Sequence, residues 1–259
     1  MTLSHDEARR RQAGFIREFI QWIGSASAGA EVWEAPGVSA AIVPAAATRS
    51  IPNSVIPESA RALAASYDEL ARAYRDAGVQ SWTVWLHEGD SEAQAFLEAN
   101  GHALDGAPVA MELELSDWEA EDLGDLDWDA EASFVELGRI NDLAYGYDPP
   151  GMSPAIAAPV RDVQIRVYRA RLEGQVACVL GTLDVEDDAG IIFVATPPEM
   201  RGRRLASRLL TAALLEARER GMRTSSLQAS ALGSPIYERL GYRTHFRFHI
   251  MERLSEPQS

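Results

Sequence analysis

Three arginines and a glycine stand together in one short stretch, Thr196-Pro-Pro-Glu-Met200-Arg201-Gly202-Arg203-Arg204-Leu205-Ala206-Ser207, directly ahead of a run with helical periodicity. The first turn of a helix leaves backbone N–H groups unpaired and carries the positive end of the dipole, so an anion is favoured there. Exposed cations in that turn cost the isolated helix about 0.3–1 kcal/mol each. Arg201, Arg203 and Arg204 make sense if a multiply charged anion occupies the loop. Taken alone, the loop also reads as a basic surface turn balanced by Glu199 and solvent. All 24 Lys+Arg positions are arginine. Without lysine, a P-loop NTPase, a Schiff-base enzyme and a Ser–Lys hydrolase are excluded, and any anion site must use arginine and backbone amides.

Other reactive side chains carry weaker signals. His245 and His249 are four apart, but Phe246, Phe248 and Ile250 alternate with them, so the segment is a strand and no metal site is expected. Cys178, the one cysteine, lies in the apolar run Val176–Leu180 and reads as core. It excludes an internal disulfide and fits a reducing, cytoplasmic setting. No Gly-x-Ser-x-Gly and no pair of glycines two apart occurs, which excludes a nucleophile elbow and a dinucleotide fingerprint. Asp184, Glu186 and Glu173 are carboxylates able to serve as general base, and spacing does not rank them. No signal peptide and no apolar run of about 18 residues is read, so no membrane is expected as a partner. The net charge of −15 makes nucleic acid a poor partner.

These residues need elements to hold them. The periodicity predicts a first helix carrying Phe15, Ile16, Phe19, Ile20 and Ile23, opened by a Ser4/Glu7 capping box and closed by Gly24. Residues 32–55 are strand-like, with breaks at prolines. Helices follow at about 58–77, with Leu63, Tyr67, Leu70 and Tyr74 on one face, and at 92–99. Strands are expected at 81–86, with Trp82 and Trp85 on opposite faces, and at 109–115. The later residues predict helix 134–145, strands 163–171, 175–183 and 191–196, helix 205–220, strand 224–228, helix 234–240 and strand 242–251. The fold class is mixed α/β.

Charge divides the chain. Residues 1–150 hold 27 acids against 9 arginines, a balance of −18, and residues 151–259 hold 12 against 15, a balance of +3. Residues 105–131 contain eleven acids and no arginine, and Ser116–Glu131 reads as a solvated linker. The boundary is placed near Asp125, giving domains 1–125 and 126–259. The order helix–Gly78–strand–helix–Gly101–strand parallels helix–Gly221–strand–helix–Gly241–strand, so the chain reads as two copies of one fold, the first diverged.

The strand–Pro-Pro-Glu-Met-Arg-Gly-Arg-Arg-Leu-Ala-Ser–helix segment resembles the acyl-CoA pyrophosphate loop of the GNAT N-acetyltransferase superfamily, whose pattern is Arg/Gln-x-x-Gly-x-Gly/Ala. Arg201, Gly202, Leu205 and Ala206 are in register, with Arg204 where the middle glycine usually stands. Downstream, Ser230-Ala-Leu-Gly-Ser-Pro-Ile-Tyr237-Glu-Arg-Leu-Gly241-Tyr242 is similar to the family's Asn-x-x-Ala-x-x-x-Tyr-x-x-x-Gly-Phe, with Ser230 in place of asparagine. The resemblance covers roughly residues 132–254 and implies two tandem mixed-sheet α/β/α sandwiches, the second complete. It further implies acetyl-CoA as cosubstrate, held by backbone amides of residues 202–207 with Arg201, Arg203 or Arg204 adding charge, and lined by Ser207 and Ser230. Backbone N–H groups near Val194, Ala195 and Thr196 would meet the acyl carbonyl and pantetheine amides. Tyr237 would protonate the departing thiolate. The acceptor would be a primary amine of a small molecule or peptide, the −18 balance favouring a cationic one, and a second copy of the chain is a further partner to consider. A non-catalytic acyl-CoA-binding module and a thiol-biosynthetic acyltransferase are the competing readings. In the first copy Leu97 aligns with Tyr237, and Ser50–Ser54, taken as its strand-to-helix stretch, has no Arg-Gly. That copy is expected to be non-catalytic.

Overall fold

The computed structural model describes residues 5–157 and 165–254. In chain order the first elements are α1 (His5–Ile23), β1 (Glu31–Ala35), β2 (Val38–Ile42), β3 (Ser54–Pro57), α2 (Ala60–Asp76), β4 (Ser81–His87), α3 (Ser91–Ala99), β5 (His102–Gly106) and β6 (Val109–Glu114). They are followed by β7 (Asp127–Asp129), α4 (Phe134–Tyr145), α5 (Met152–Ala155), β8 (Ile165–Leu172), β9 (Gln175–Val185), β10 (Asp188–Ala195), α6 (Leu205–Glu219), β11 (Thr224–Ala229), α7 (Ser234–Arg239) and β12 (Arg243–Leu254). Ser4 of the expected capping box, and the start of the strand expected at 163, lie outside the described residues.

Two compact units emerge, and neither is a continuous half of the chain. One comprises residues up to Phe15, Val109–Ser153 and the described residues 165–245; the other comprises Ile16–Pro108, residues 154–157 and residues from Phe246 onward. The units therefore do not coincide with 1–125 and 126–259. The reason lies in strand pairing. In the first unit β6 pairs antiparallel with β11, from Glu114↔Thr224 to Val109↔Ala229. In the second, β12 pairs antiparallel with β4, from Phe248↔His87 to Leu254↔Ser81, and also with β5. Each unit thus takes a strand from the other half of the sequence.

The first unit has the strand order β6-β11-β10-β9-β8-β7. Its β10–β11 pair is parallel, and the other pairs are antiparallel. Helix α6 buries Leu205, Leu209, Leu210, Ala213, Leu214 and Ala217 with Cys178, Leu180, Leu227 and Tyr242 in one core. Helix α4 packs over β9 and β10. Its start is fixed by a capping box in which Ser133 accepts from the Glu136 amide and Glu136 accepts from the Ser133 amide. The second unit has the order β1-β2-β3-β4-β12, with β3 and β4 parallel. The α2 stripe Leu63, Tyr67, Leu70 and Tyr74 is buried in its core with Trp82, Val84, Leu97 and Met251. In this unit the strand-to-helix connection is Glu58-Ser59 and not Ser50–Ser54, because β3 begins only at Ser54. Ser59 caps α2 by accepting from the Ala62 amide at 3.2 Å, so the connection is a tight cap without a loop.

The acidic stretch is largely exposed, as expected, but it is part of the first unit and not a linker between units. Asp127–Asp129 forms edge strand β7 on β8, where Asp129 pairs with Arg169 at 3.0 Å and with Arg171 at 2.5 Å. Upstream, the Trp118 indole donates to the Leu240 carbonyl at 2.8 Å, and Trp118's own carbonyl accepts from Arg218 at 3.0 Å. Arg208 reaches the Leu123 carbonyl and the Asp125 carboxylate, and Arg204 reaches Glu121. Glu121, Asp125, Asp127 and Asp129 are thus met by arginines distant in sequence, which a count of local charge does not register.

Candidate functional site

The site is built where β10 parts from its neighbours. Register with β9 runs from Asp188↔Val185 to Ile192↔Gly181 and then shifts, so that Ala195 faces Val179. This bulge puts Phe193 at φ 52°, a region that bulky side chains enter only at a cost. On the other side β10 meets β11 at Asp188↔Thr224. That end is clasped by polar side chains: Thr224 and Ser226 hydroxyls donate to the buried Asp188 carboxylate at 2.7 and 2.5 Å, and Ser225 donates to the Ala189 carbonyl at 2.7 Å. Beyond the clasp, Val194–Thr196 faces a cavity of about 720 Å³.

The residues that the resemblance assigns to acyl-CoA and to the leaving thiolate all line this one cavity: Val194, Ala195 and Thr196 on β10, Arg201–Ser207 on the loop and first turn of α6, Ser230 after β11, and Tyr237 on α7. Glu121, Tyr145, Leu232 and Arg239 also line it and were not anticipated. Tyr145 is the last residue of α4, and Glu121 belongs to the acidic stretch. No local motif marks either one, because their proximity to the loop is purely tertiary.

Within the loop, Gly202 has φ 78°, and a Cβ there would meet nothing within 4 Å. Backbone conformation, not space, calls for glycine. Arg204 occupies the position before α6 with φ 59° and ψ 19°, also left-handed. A non-glycine residue bears roughly 1–2 kcal/mol in that region, which accounts for glycine as the usual residue there in the family that the loop resembles. The first turn of α6 contains no acid, so its amides keep their preference for an anion. The Arg201 guanidinium donates from Nε to the Thr196 carbonyl at 3.0 Å and from Nη2 to the Ala144 carbonyl at 2.7 Å.

Tyr237 packs against the α6 core and makes an edge contact with Tyr242, ring centroids 5.9 Å apart. Burial, then the nearby Tyr145 and Cys178, push its hydroxyl well above the ordinary tyrosine value. Cys178 is fully buried, and its sulfur accepts from the Thr196 hydroxyl at 3.3 Å. Burial raises that thiol to about 12, so it is core and not a nucleophile. Asp184 is engaged by Arg220 at 3.0 Å, Glu173 and Glu186 occupy left-handed turn positions, and none of the three lines the cavity.

His245 and His249 stand on strand β12, as the alternation with phenylalanine predicts. His249 meets Gln94, whereas His245 lies 3.7 Å from Glu112 Oε2, a buried oxygen without a hydrogen-bond partner among the described residues. Burial, reinforced by the charge of Asp188, raises Glu112 to about 7, and burial lowers His245. Because the folded value of Glu112 exceeds its ordinary 4.5, the native state holds an extra proton between those values, and stability falls as pH rises from about 4.5 to about 7. Glu112→Gln is expected to leave stability at pH 5 nearly unchanged and to add on the order of 2–3 kcal/mol at pH 8. Urea unfolding at the two pH values checks this, and equal destabilisation at both would show an ionised, paired Glu112 instead.

Residues 174–245 match the family model described as Acetyltransferase (GNAT) domain. No curated protein sequence matches the chain. In fold the chain is similar to a GCN5-related N-acetyltransferase from Kribbella flavida, at 14% identity and a TM-score of 0.66, over 100% of this chain and 97% of that one. It is similar as well to a GCN5-related N-acetyltransferase from Sphaerobacter thermophilus (14% identity, TM-score 0.59, 86% and 78% covered). A tandem GNAT protein from the clavulanic acid biosynthesis pathway is a further likeness (15% identity, TM-score 0.52, 86% and 79% covered).

Proposed function

We propose, from the match of residues 174–245 to the Acetyltransferase (GNAT) domain model and from the site's geometry, that the cavity transfers an acetyl group from acetyl-CoA to a primary amine of a small molecule or peptide. One observation carries the reading: the anion-ready start of α6, the open edge of β10 and Tyr237 line a single cavity. The residues fit such a cosubstrate. Gly202 leaves the loop backbone bare, Arg203 and Arg204 supply charge without lysine, and the cavity volume is in the range of small-molecule sites.

Acetyl-CoA, when bound, supplies a thioester whose leaving group is a thiolate. The chain's own part is orientation and proton placement. Amides of residues 202–207 and the adjacent arginines hold the diphosphate, and N–H groups near Val194–Thr196, on the stretch of β10 past its bulge and its Asp188↔Thr224 pairing with β11, serve the acyl carbonyl and pantetheine amides. Tyr237, kept protonated by burial, donates to the departing sulfur. The second unit, which has the same parallel pair followed by a helix but a closed cap in place of the loop, is read as a diverged, non-catalytic copy. The excess of acid in residues 1–150 supports a cationic acceptor such as a polyamine or a peptide N-terminus.

The test is acetyl-CoA stabilisation in a thermal-shift assay, joined to free-thiol release across a panel of cationic, neutral and anionic amines. Thiol release with cationic amines is expected. Stabilisation without thiol release on any amine would point to a binding module, and no shift at millimolar acetyl-CoA would reject the reading.

A further inference from the structure

Arg201 is placed differently from its neighbours Arg203 and Arg204. Its guanidinium closes the loop on itself through the Thr196 carbonyl at 3.0 Å and reaches across to the Ala144 carbonyl on α4 at 2.7 Å. The last turn of α4 explains the second contact. The carbonyls of Asp142 and Leu143 accept from the Gly146 amide at the left-handed C-cap, while that of Ala144 accepts from Arg201. A cation at a helix C-terminus is also favoured by the dipole.

What Arg201 grips is a stiff element. The Asp142 carboxylate accepts from the amides of Gly151 at 3.0 Å, Met152 at 2.7 Å and Ser153 at 2.9 Å, tying the end of α4 to the start of α5. A Cβ at Gly138 would approach the Ser153 backbone to 2.6 Å, so the two helices pack backbone to backbone. The residue after Ala144 is Tyr145, which is exposed and lines the cavity together with Arg201 and Tyr237. Arginine has five N–H donors in a planar fork, so two carbonyl contacts leave donors for an anion in the cavity it lines.

We infer that Arg201 is a positioning residue that links the anion loop to the C-terminal turn of α4, so that an anion held by the loop also fixes Tyr145 in the wall of the cavity. This rests on the acyl-CoA reading above and adds a coupling that the reading does not require. A lysine keeps the charge but cannot hold two carbonyls and an anion in one plane.

Hydrogen exchange with CoA as the probe separates the possibilities. In the wild type, CoA is expected to slow exchange both at the loop amides 202–207 and at those of Tyr145, Gly146 and Tyr147. Arg201→Lys should still bind CoA, within about tenfold of the wild type because the charge is kept, and slow the loop amides while losing the effect at 145–147. Arg203→Lys, a like change in the same loop, should retain the effect at 145–147. Unchanged slowing at 145–147 in Arg201→Lys, or loop protection without any α4 response in the wild type, would overturn the coupling and leave the acyl-CoA reading standing. No protection of the wild-type loop by CoA would instead remove that reading, and this inference with it.

Discussion

Tyr237→Phe is expected to lower turnover by about 10²–10⁴-fold, the range for loss of a positioned proton donor, while acetyl-CoA still stabilises the protein. The variant keeps the ring that packs against the α6 core and makes the edge contact with Tyr242, so folding should change little. Only the hydroxyl is lost. A proton donor to the leaving group acts in the transition state, so the loss should fall on kcat more than on KM. The pH profile adds a second readout. Burial holds the Tyr237 hydroxyl far above neutrality, so the wild-type rate should show no descending limb from this group between pH 6 and about 9. A Phe variant with undiminished kcat would reassign the proton to water or to the acceptor itself. Thiol release under saturating acetyl-CoA and amine measures the outcome.

Leu97→Ala is expected to do the opposite: unfold the protein more readily and leave the catalytic step largely alone in the folded fraction. The proposed repeat sets Leu97 against Tyr237, yet Leu97 is fully buried in a core with Leu63, Tyr67, Trp82 and Met251. Truncating a leucine in such a site removes its transfer free energy and leaves a cavity, roughly 3–5 kcal/mol together. Denaturant unfolding should show a lower midpoint, and turnover per folded molecule should stay near the wild type. Equal depression of turnover by Leu97→Ala and Tyr237→Phe would contradict the division of labour between the two copies.

Much of this was readable from the chain. Helix α4 spans the predicted residues 134–145, and the α2 stripe Leu63–Tyr74 is buried as its period requires. These are local signals, carried by side chains a few residues apart. The loop was legible for the same reason, since Arg201-Gly202-Arg203-Arg204 is contiguous and the helix after it is strongly periodic. Tyr237 and Ser230 were reached through a motif rather than through periodicity. The edge strands β5 and β7 went unread because each is short and polar on one side, and β7 exists because Arg169 and Arg171 meet Asp129 and Asp127. That residues 116–131 belong to the first unit was not legible, because the arginines meeting Glu121, Asp125, Asp127 and Asp129 stand at the start of α6 and on β8, far along the sequence.

Strand exchange shows the same limit on a larger scale. An apolar alternation says that Val109–Glu114 and Phe246–Leu254 are strands. It does not say which edge each one joins, because backbone hydrogen bonds are indifferent to sequence. Side-chain packing chose β11 for the former and β4 for the latter. By itself, then, the sequence determined what an anion site could be built from, arginine and backbone amides without lysine, and its resemblance supplied the proposed proton donor Tyr237. Tertiary structure decided the rest. It parted β10 from β11 beyond the Asp188 clasp, turned Phe193 and Arg204 into left-handed conformations, and set Tyr145 beside Arg201. Each of those outcomes depends on groups that become neighbours only after the chain has closed.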